Sequence, residues 1–284
     1  AHVMADVARD VILPLFRSGL VSDNKDASGF DPVTEADRAA EQAMRAVLAD
    51  LRPADGILGE EFGISEGTSG LQWVLDPIDG TRGFISGTPT WGVLISVRDA
   101  RGPLYGIIDQ PYIGERFEGG FGCAEMVGPL GPRALGTKTT TELANATILT
   151  TFPEVGTAQD GAGFHAVAKR CKLTRYGMDC YGYALLAAGQ VDLVIEAGLS
   201  AYDIQAPIAV IEAAGGLVTD WRGGPAHEVG GPWRRRMGHC MRRHWRFWPS
   251  TSRIGCANSI KGGSAPSCGL PGIFIKQRHC EEKA

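Results

Sequence analysis

The 284-residue chain has no apolar run long enough to cross a membrane. Its longest, from Val7 to Phe16, is broken by Arg9, Asp10 and Pro14, whereas a helical span needs about 20 apolar residues. The first residues, Ala-His-Val-Met-Ala-Asp, lack the basic start, apolar stretch and small-residue cleavage site of a secretory signal, which predicts a cytoplasmic protein. An initiator Met is also lacking, so sequence is expected to be missing at that end. None of the seven cysteines forms a C-x-x-C pair, and an odd number fits no complete disulfide framework. His165 and His227 sit in no ligand spacing and read as structural or exposed. There is no internal repeat.

What is present is 44% hydrophobic and 21% charged residues, enough for one large domain or two modest ones. The net charge of −4 conceals a division. Of 28 Lys+Arg and 32 Asp+Glu, residues 229–284 hold 11 and 2, leaving 17 and 30 for residues 1–228. The body is therefore strongly acidic and the tail strongly basic. Cys123, Cys171 and Cys180 lie in the body and read as ordinary reduced thiols; the other four lie in the tail.

In the body, apolar residues at helical spacing predict an opening helix up to Phe16 and a second after Thr34, with Ala40, Met44, Val47, Leu48 and Leu51 as its buried stripe. Short strands at 57–58 and 73–75 lead into Gly59-Glu60-Glu61 and Asp76-Pro-Ile-Asp-Gly-Thr81, read as turns. Runs at 91–97, 104–108 and 116–119 suggest an antiparallel meander. From about Thr139 the pattern alternates: strands at 147–151, 174–177, 192–196 and 217–219, with helices at 163–169, 181–188 and 203–214 between them.

The informative feature is a set of acids just past strand ends or at helix starts: Asp37, Glu60, Glu61, Asp76, Asp79 and Asp203. Several carboxylates converging on one point repel each other, and hard divalent cations resolve the repulsion. Oxygen ligands without a His or Cys cluster favour Mg²⁺ over Zn²⁺. Gly80 lets the chain approach a ligand, and Thr81 brings a hydroxyl to a helix start whose free N–H groups suit a phosphate.

The segments Asp31-Pro-Val-Thr-Glu-Ala-Asp37, Gly59-Glu-Glu61, Trp73-Val-Leu-Asp-Pro-Ile-Asp-Gly-Thr81 and Tyr202-Asp203, followed by Ala213-Ala-Gly-Gly216, resemble the inositol monophosphatase superfamily of Mg²⁺-dependent, Li⁺-sensitive phosphatases. The resemblance covers about residues 1–228. Arg82-Gly-Phe-Ile-Ser-Gly-Thr-Pro-Thr-Trp-Gly92, Asp179-Cys-Tyr181 and Tyr202-Asp-Ile-Gln-Ala206 look like its histidinol-phosphate phosphatase branch. It implies that Glu60, Asp76 and the Ile78 carbonyl hold one Mg²⁺, and Asp76, Asp79 and Asp203 a second, with a third left open. It further implies that Glu60 and Thr81 orient the attacking water, with Asp37 hydrogen-bonded to Thr81 so that its hydroxyl can relay a proton, while Gly80 and Thr81 amides steady the phosphate. Attack is direct, without a phosphoenzyme. Glu196, seven residues before Asp203, stands where inositol enzymes place an acid against the leaving alcohol. Glu196 and Asp179 then suit the cationic end of histidinol phosphate; the plainer alternatives are a helix cap for Asp179 and a solvated Glu196. Lys25 is a loop lysine either near the site or merely on the surface.

Residues 232–246 contain six Arg, two His and two Trp with no acid, a composition that could bind nucleic acid. The genetic code favours another reading. In the neighbouring frame His239-Cys240, His244-Trp245 and Phe247-Trp248 each become Leu and Trp248-Pro249 becomes Ala, the strand-then-helix pattern with which this family's chains close. A frame shift between about His227 and Pro232 is therefore expected, with residues 230–284 poorly packed and free of regular elements.

The fold expected is α/β (α+β), a layered α-β-α-β-α sandwich of the inositol monophosphatase type. Its N-terminal α+β half, 1–137, carries metal and phosphate; an α/β half follows at 138–228, then the aberrant tail at 229–284, and the site lies between the halves. The function expected is Mg²⁺-dependent hydrolysis of histidinol phosphate, a small phosphate monoester, with no nucleic acid or membrane partner and a homodimer left open. The rivals are an inositol monophosphatase or other sugar- or nucleotide-phosphate hydrolase, and a catalytically silent metal- or partner-binding protein.

Overall fold

The computed structural model describes residues 1–19, 23–24, 32–228 and 272–277. Helix α1 (His2–Ile12) gives way at Pro14 to a single 3₁₀ turn, so the regular helix stops short of Phe16. A small ribbon of β1 (Asp23–Asn24) and β2 (Pro32–Val33) precedes α2 (Glu35–Leu51). Thr34 and Asp37 form a reciprocal capping box at the start of α2.

Next come β3 (Gly56–Gly59), β4 (Gly63–Ser65), β5 (Gln72–Asp79), α3 (Thr81–Ile85) and the meander β6 (Gly92–Asp99), β7 (Gly102–Gln110), β8 (Glu115–Gly120), β9 (Cys123–Gly128) and β10 (Gly131–Ala134). These strands make one eight-stranded sheet in the order β10-β9-β8-β7-β6-β5-β3-β4. The chain continues through β11 (Thr147–Thr150), α4 (Ala158–Ala168), β12 (Leu173–Tyr176), α5 (Asp179–Ala187), β13 (Leu193–Ala197), α6 (Ala201–Ala213) and β14 (Gly216–Asp220). With β15 (Gly272–Gln277), the second sheet runs β12-β11-β13-β15-β14.

Side-chain alternation along the strands sorts these pieces into five layers. On β6, Val93, Ile95 and Val97 point to one core, shared with Met4, Ile12, Ala40 and Met44 of α1 and α2. Leu94 points to the other, where Ile108 and Phe117 meet α5 and α6, and beyond them Leu149, Val194 and Val218 of the second sheet. The far face of that sheet, Ile148, Leu193 and Ile195, packs on Phe164 and Val167 of α4. The architecture is the expected α-β-α-β-α sandwich. Its middle helical layer is apolar nearly all round, as a layer covered by sheets on both sides must be.

Further expectations need correction. Leu51, expected in the buried stripe of α2, is its last residue and is exposed. Asp76-Pro-Ile-Asp79 is not a turn after a strand; it is the last part of β5 itself. The tail is also not free of regular elements, because β15 lies antiparallel between β13 and β14. That slot offers backbone hydrogen bonds on both sides, and Gly-Ile-Phe-Ile-Lys-Gln has the β-branched and aromatic content that fills it. The rest of the tail, the basic stretch 232–246 included, lies outside the described residues. Among the described residues, no helix is long and apolar enough to cross a membrane.

Candidate active site

The site grows from an irregularity in β5. Residues three apart in a regular strand face opposite sides of the sheet. Here Asp76 opposes Leu94 and Asp79 opposes Gly92, so three steps on β5 match two on β6. The extra residue is a bulge at Pro77 and Ile78, and it brings both aspartates to one side. Asp203 arrives on the first turn of α6, where the Ser200 N–H donates to its Oδ2 at 2.6 Å. The Cys180 N–H, at the start of α5, donates to Asp79 Oδ2 at 2.7 Å.

One carboxylate oxygen from each of Asp76, Asp79 and Asp203 lies within 4.8 Å of the others. Glu60 and Ile78 line the same cleft, which holds about 250 Å³. Burial pushes the Asp76 carboxyl well above the usual carboxylate range, with Glu60, Asp79 and Asp203 adding to the effect. Asp79 is pushed the same way by burial and then by Asp203 and Asp179. Asp76 Oδ1 is buried without a hydrogen-bond partner among the described residues. A buried, unpaired carboxylate oxygen facing other carboxylates is costly on its own. It fits a hard divalent cation, for which an all-oxygen donor set is suited.

Beside the cluster, Thr81 Oγ1 donates toward the Ile78 carbonyl at 3.2 Å and lies 3.5 Å from Asp37 Oδ1. Asp37 is held from the other side by the N–H of Thr34 at 2.8 Å and by its hydroxyl at 2.5 Å. Burial raises the Asp37 carboxyl to about 6. Gly80 is required twice over: its φ of 85° is left-handed, and a Cβ there would stand 2.7 Å from that of Asp179.

The cleft carries two more acids, Asp179 half-buried and Glu196 buried. Asp179, at φ 45°, opens α5 and accepts from Thr90 Oγ1 at 3.0 Å, so it caps no helix. Glu196 on β13 is buried, not solvated; it accepts from the Thr151 N–H at 2.7 Å and from the Thr151 hydroxyl at 2.9 Å. Burial raises its carboxyl to about 7, against the pull of those donors. Phe152 lines the same cleft with the Arg82 guanidinium 4.9 Å over its ring.

The cleft therefore gathers Glu60, Asp76, Ile78, Asp79, Gly80, Thr81, Asp179, Glu196 and Asp203, with Asp37 behind Thr81. Glu61 is not in the acid cluster; it sits half-buried on the turn after β3, with its N–H bound to Glu41. Lys25 lies outside the described residues. The sequence reading missed Glu41, Thr90, Thr151 and Phe152. Of these only Glu41 had a signal, an acid one helical turn after Asp37 on a face that is otherwise apolar.

A model of the inositol monophosphatase family matches residues 1–264. The chain belongs to that family. Members of the inositol monophosphatase family are metal-dependent phosphoric monoester hydrolases. Over 224 residues the chain is 41% identical to an Arabidopsis thaliana bifunctional phosphatase, a chloroplastic protein, covering 78% of this chain and 63% of that relative's length. It is 35% identical over 197 residues to a histidinol-phosphatase of Chlorobaculum parvum, covering 68% of this chain and 73% of the other. A solved inositol monophosphatase from Zymomonas mobilis superposes with a TM-score of 0.70 at 42% identity, covering 79% of this chain and 85% of that one.

Proposed function

We propose that this phosphatase is Mg²⁺-dependent and hydrolyses histidinol phosphate to histidinol and phosphate. The observation that carries the substrate choice is the pair of further acids lining the cleft beside the aspartate cluster, half-buried Asp179 and buried Glu196. A leaving alcohol bearing an ammonium group meets charge-assisted partners there, which a neutral polyol does not. The histidinol-phosphatase among its relatives supports the same substrate.

Glu60, Asp76 and the Ile78 carbonyl are the residues that would hold one Mg²⁺; Asp76, Asp79 and Asp203 would hold another. When bound, the ions supply positive charge that lowers the pKa of the attacking water and offsets charge on the phosphoryl oxygens. The residues do the rest. Glu60 and the Thr81 hydroxyl orient the water in line with the leaving oxygen. Thr81 accepts a proton from it and passes its own to Asp37 Oδ1, which at about 6 is ionised near neutral pH and still basic enough to receive it. The Gly80 and Thr81 amides steady the phosphoryl group as charge builds on it. Attack is direct, so rapid-quench labelling yields no phosphorylated protein.

Phosphate release from a panel of monoesters tests the substrate. Histidinol phosphate should exceed inositol 1-phosphate in kcat/KM; the reverse order overturns the choice in favour of an inositol phosphatase, the second reading, which the Zymomonas mobilis structure favours. Full loss of metal-dependent release in Asp79→Asn separates both from a catalytically silent protein.

A further inference from the structure

We infer that Glu41 is a positioning residue for Glu60, and that with Arg45 it sets the cation affinity of the cleft; the inference rests on the reading of Glu60 as a cation ligand. Glu41 lies on α2 one turn beyond Asp37, fully buried. Its Oε2 accepts the Glu61 N–H at 2.7 Å and its Oε1 the Phe62 N–H at 3.3 Å. The Glu60 N–H donates to the Leu75 carbonyl of β5 at 3.1 Å. The peptide units on both sides of the Glu60 Cα are therefore pinned, one to the strand that carries Asp76 and the other to the helix that carries Asp37. With both planes fixed, the direction of the Glu60 Cα–Cβ bond, and so the region its carboxylate can reach, is fixed too.

Arg45 completes the staple. Its Nε donates to Glu41 Oε1 at 2.7 Å, its Nη2 to the Gly63 carbonyl at 2.5 Å and its Nη1 to Ser65 Oγ at 2.9 Å. The carboxylate is thus neutralised, and the turn after β3 and strand β4 are tied to one helix. Gly59 is the clearance for this contact: a Cβ there would stand 1.9 Å from Glu41 Oε1. A carboxylate that served only to stabilise α2 would need neither the two turn amides nor that clearance.

The test is Mn²⁺ titration of the metal-free protein by calorimetry, well below the melting temperature and with binding stoichiometry as the count of folded molecules. Groups that orient a metal ligand typically change affinity about 10- to 100-fold when removed. Glu41→Gln should weaken Mn²⁺ binding by about that factor at unchanged stoichiometry. Gly59→Ala should do the same in the wild-type background and add nothing on top of Glu41→Ala. Should Glu41→Gln not yield folded protein, Arg45→Met carries the same test. Wild-type affinity in these variants, with only a lower melting temperature, overturns the inference. Glu60→Gln is the control: if it too leaves Mn²⁺ affinity unchanged, the reading of Glu60 has failed, whereas loss there with none at Glu41 refutes the positioning role alone.

Discussion

The acid cluster stores repulsion that one substitution should release. Asp203→Asn removes a charge but keeps an oxygen that can accept the Ser200 N–H. Asp203 faces Asp76 and Asp79 with one oxygen of each within 4.8 Å. At an effective dielectric of about 20, a like-charge pair at that separation costs about 3 kcal/mol. Asp76 and Asp79 both hold protons more tightly than exposed carboxylates, so part of this repulsion is already relieved near neutral pH. The metal-free variant should gain about 2 kcal/mol, which for a chain of this size raises the melting temperature by about 4–8 °C.

Mg²⁺ should reverse the order. Binding to the folded state alone stabilises wild type by about 4.1 kcal/mol at a thousandfold excess over Kd, and the variant, short of one ligand, gains far less. Melting both proteins by circular dichroism, first in EDTA and then in saturating Mg²⁺, therefore gives a crossover. The variant melts higher without metal and lower with it. A variant that melts below wild type in EDTA, or gains as much from Mg²⁺, would falsify the placement of Asp203 in a shared cation site.

The remaining expectations are briefer. Glu196 titrates at about 7 in the fold against 4.5 for an exposed glutamate, so its stabilising contribution is present below 4.5 and lost as pH climbs through 7. Glu196→Gln should thus match wild-type stability near pH 4 and exceed it by up to about 3 kcal/mol near pH 8; urea melts at the two values check this, and a pH-independent difference refutes it. Thr81→Ala should lower kcat about 10²- to 10⁴-fold with little change in KM, and Thr81→Ser should restore most of it, as steady-state phosphate release will show. Asp109 is fully buried and accepts from Arg9 and Arg116, so Asp109→Ala should cost about 3 kcal/mol in urea unfolding by leaving two guanidinium groups without their shared acceptor.

How far the sequence could be read depended on the kind of signal each element carries. Helix α2 was legible because Thr34, Asp37 and the stripe through Ala40, Met44 and Leu48 are local features placed where their spacing puts them, although Leu51, at the helix end, is exposed and not part of the buried stripe. Strands β9 and β10 were not legible: their side chains are largely half-buried or exposed, so no period-two pattern is imposed on them. β15 was hidden for another reason. Its place is set by the vacant register between β13 and β14, a property of strands more than fifty residues away.

The site shows the same division. Asp76 and Asp79 were found as a pair, yet the reason they share a face is a bulge defined by β6, which no reading of β5 alone could supply. Asp203 was found at a helix start, but only the packing of α6 across the sheet brings it to the other two. Glu41 marks the limit most clearly. A glutamate followed four residues later by an arginine reads as an ordinary ion pair along a helix, and its place on an otherwise apolar face is the one local hint of more. What sets it apart is the Glu61 and Phe62 amides arriving from another element, and Gly59 withholding a side chain to make room. The ligand types were thus written locally, while their convergence is written in pairing register and in the glycines that permit close approach. A substitution at Gly59 or Gly80 should consequently damage the site as surely as one at an aspartate, although neither glycine contributes a side chain to it.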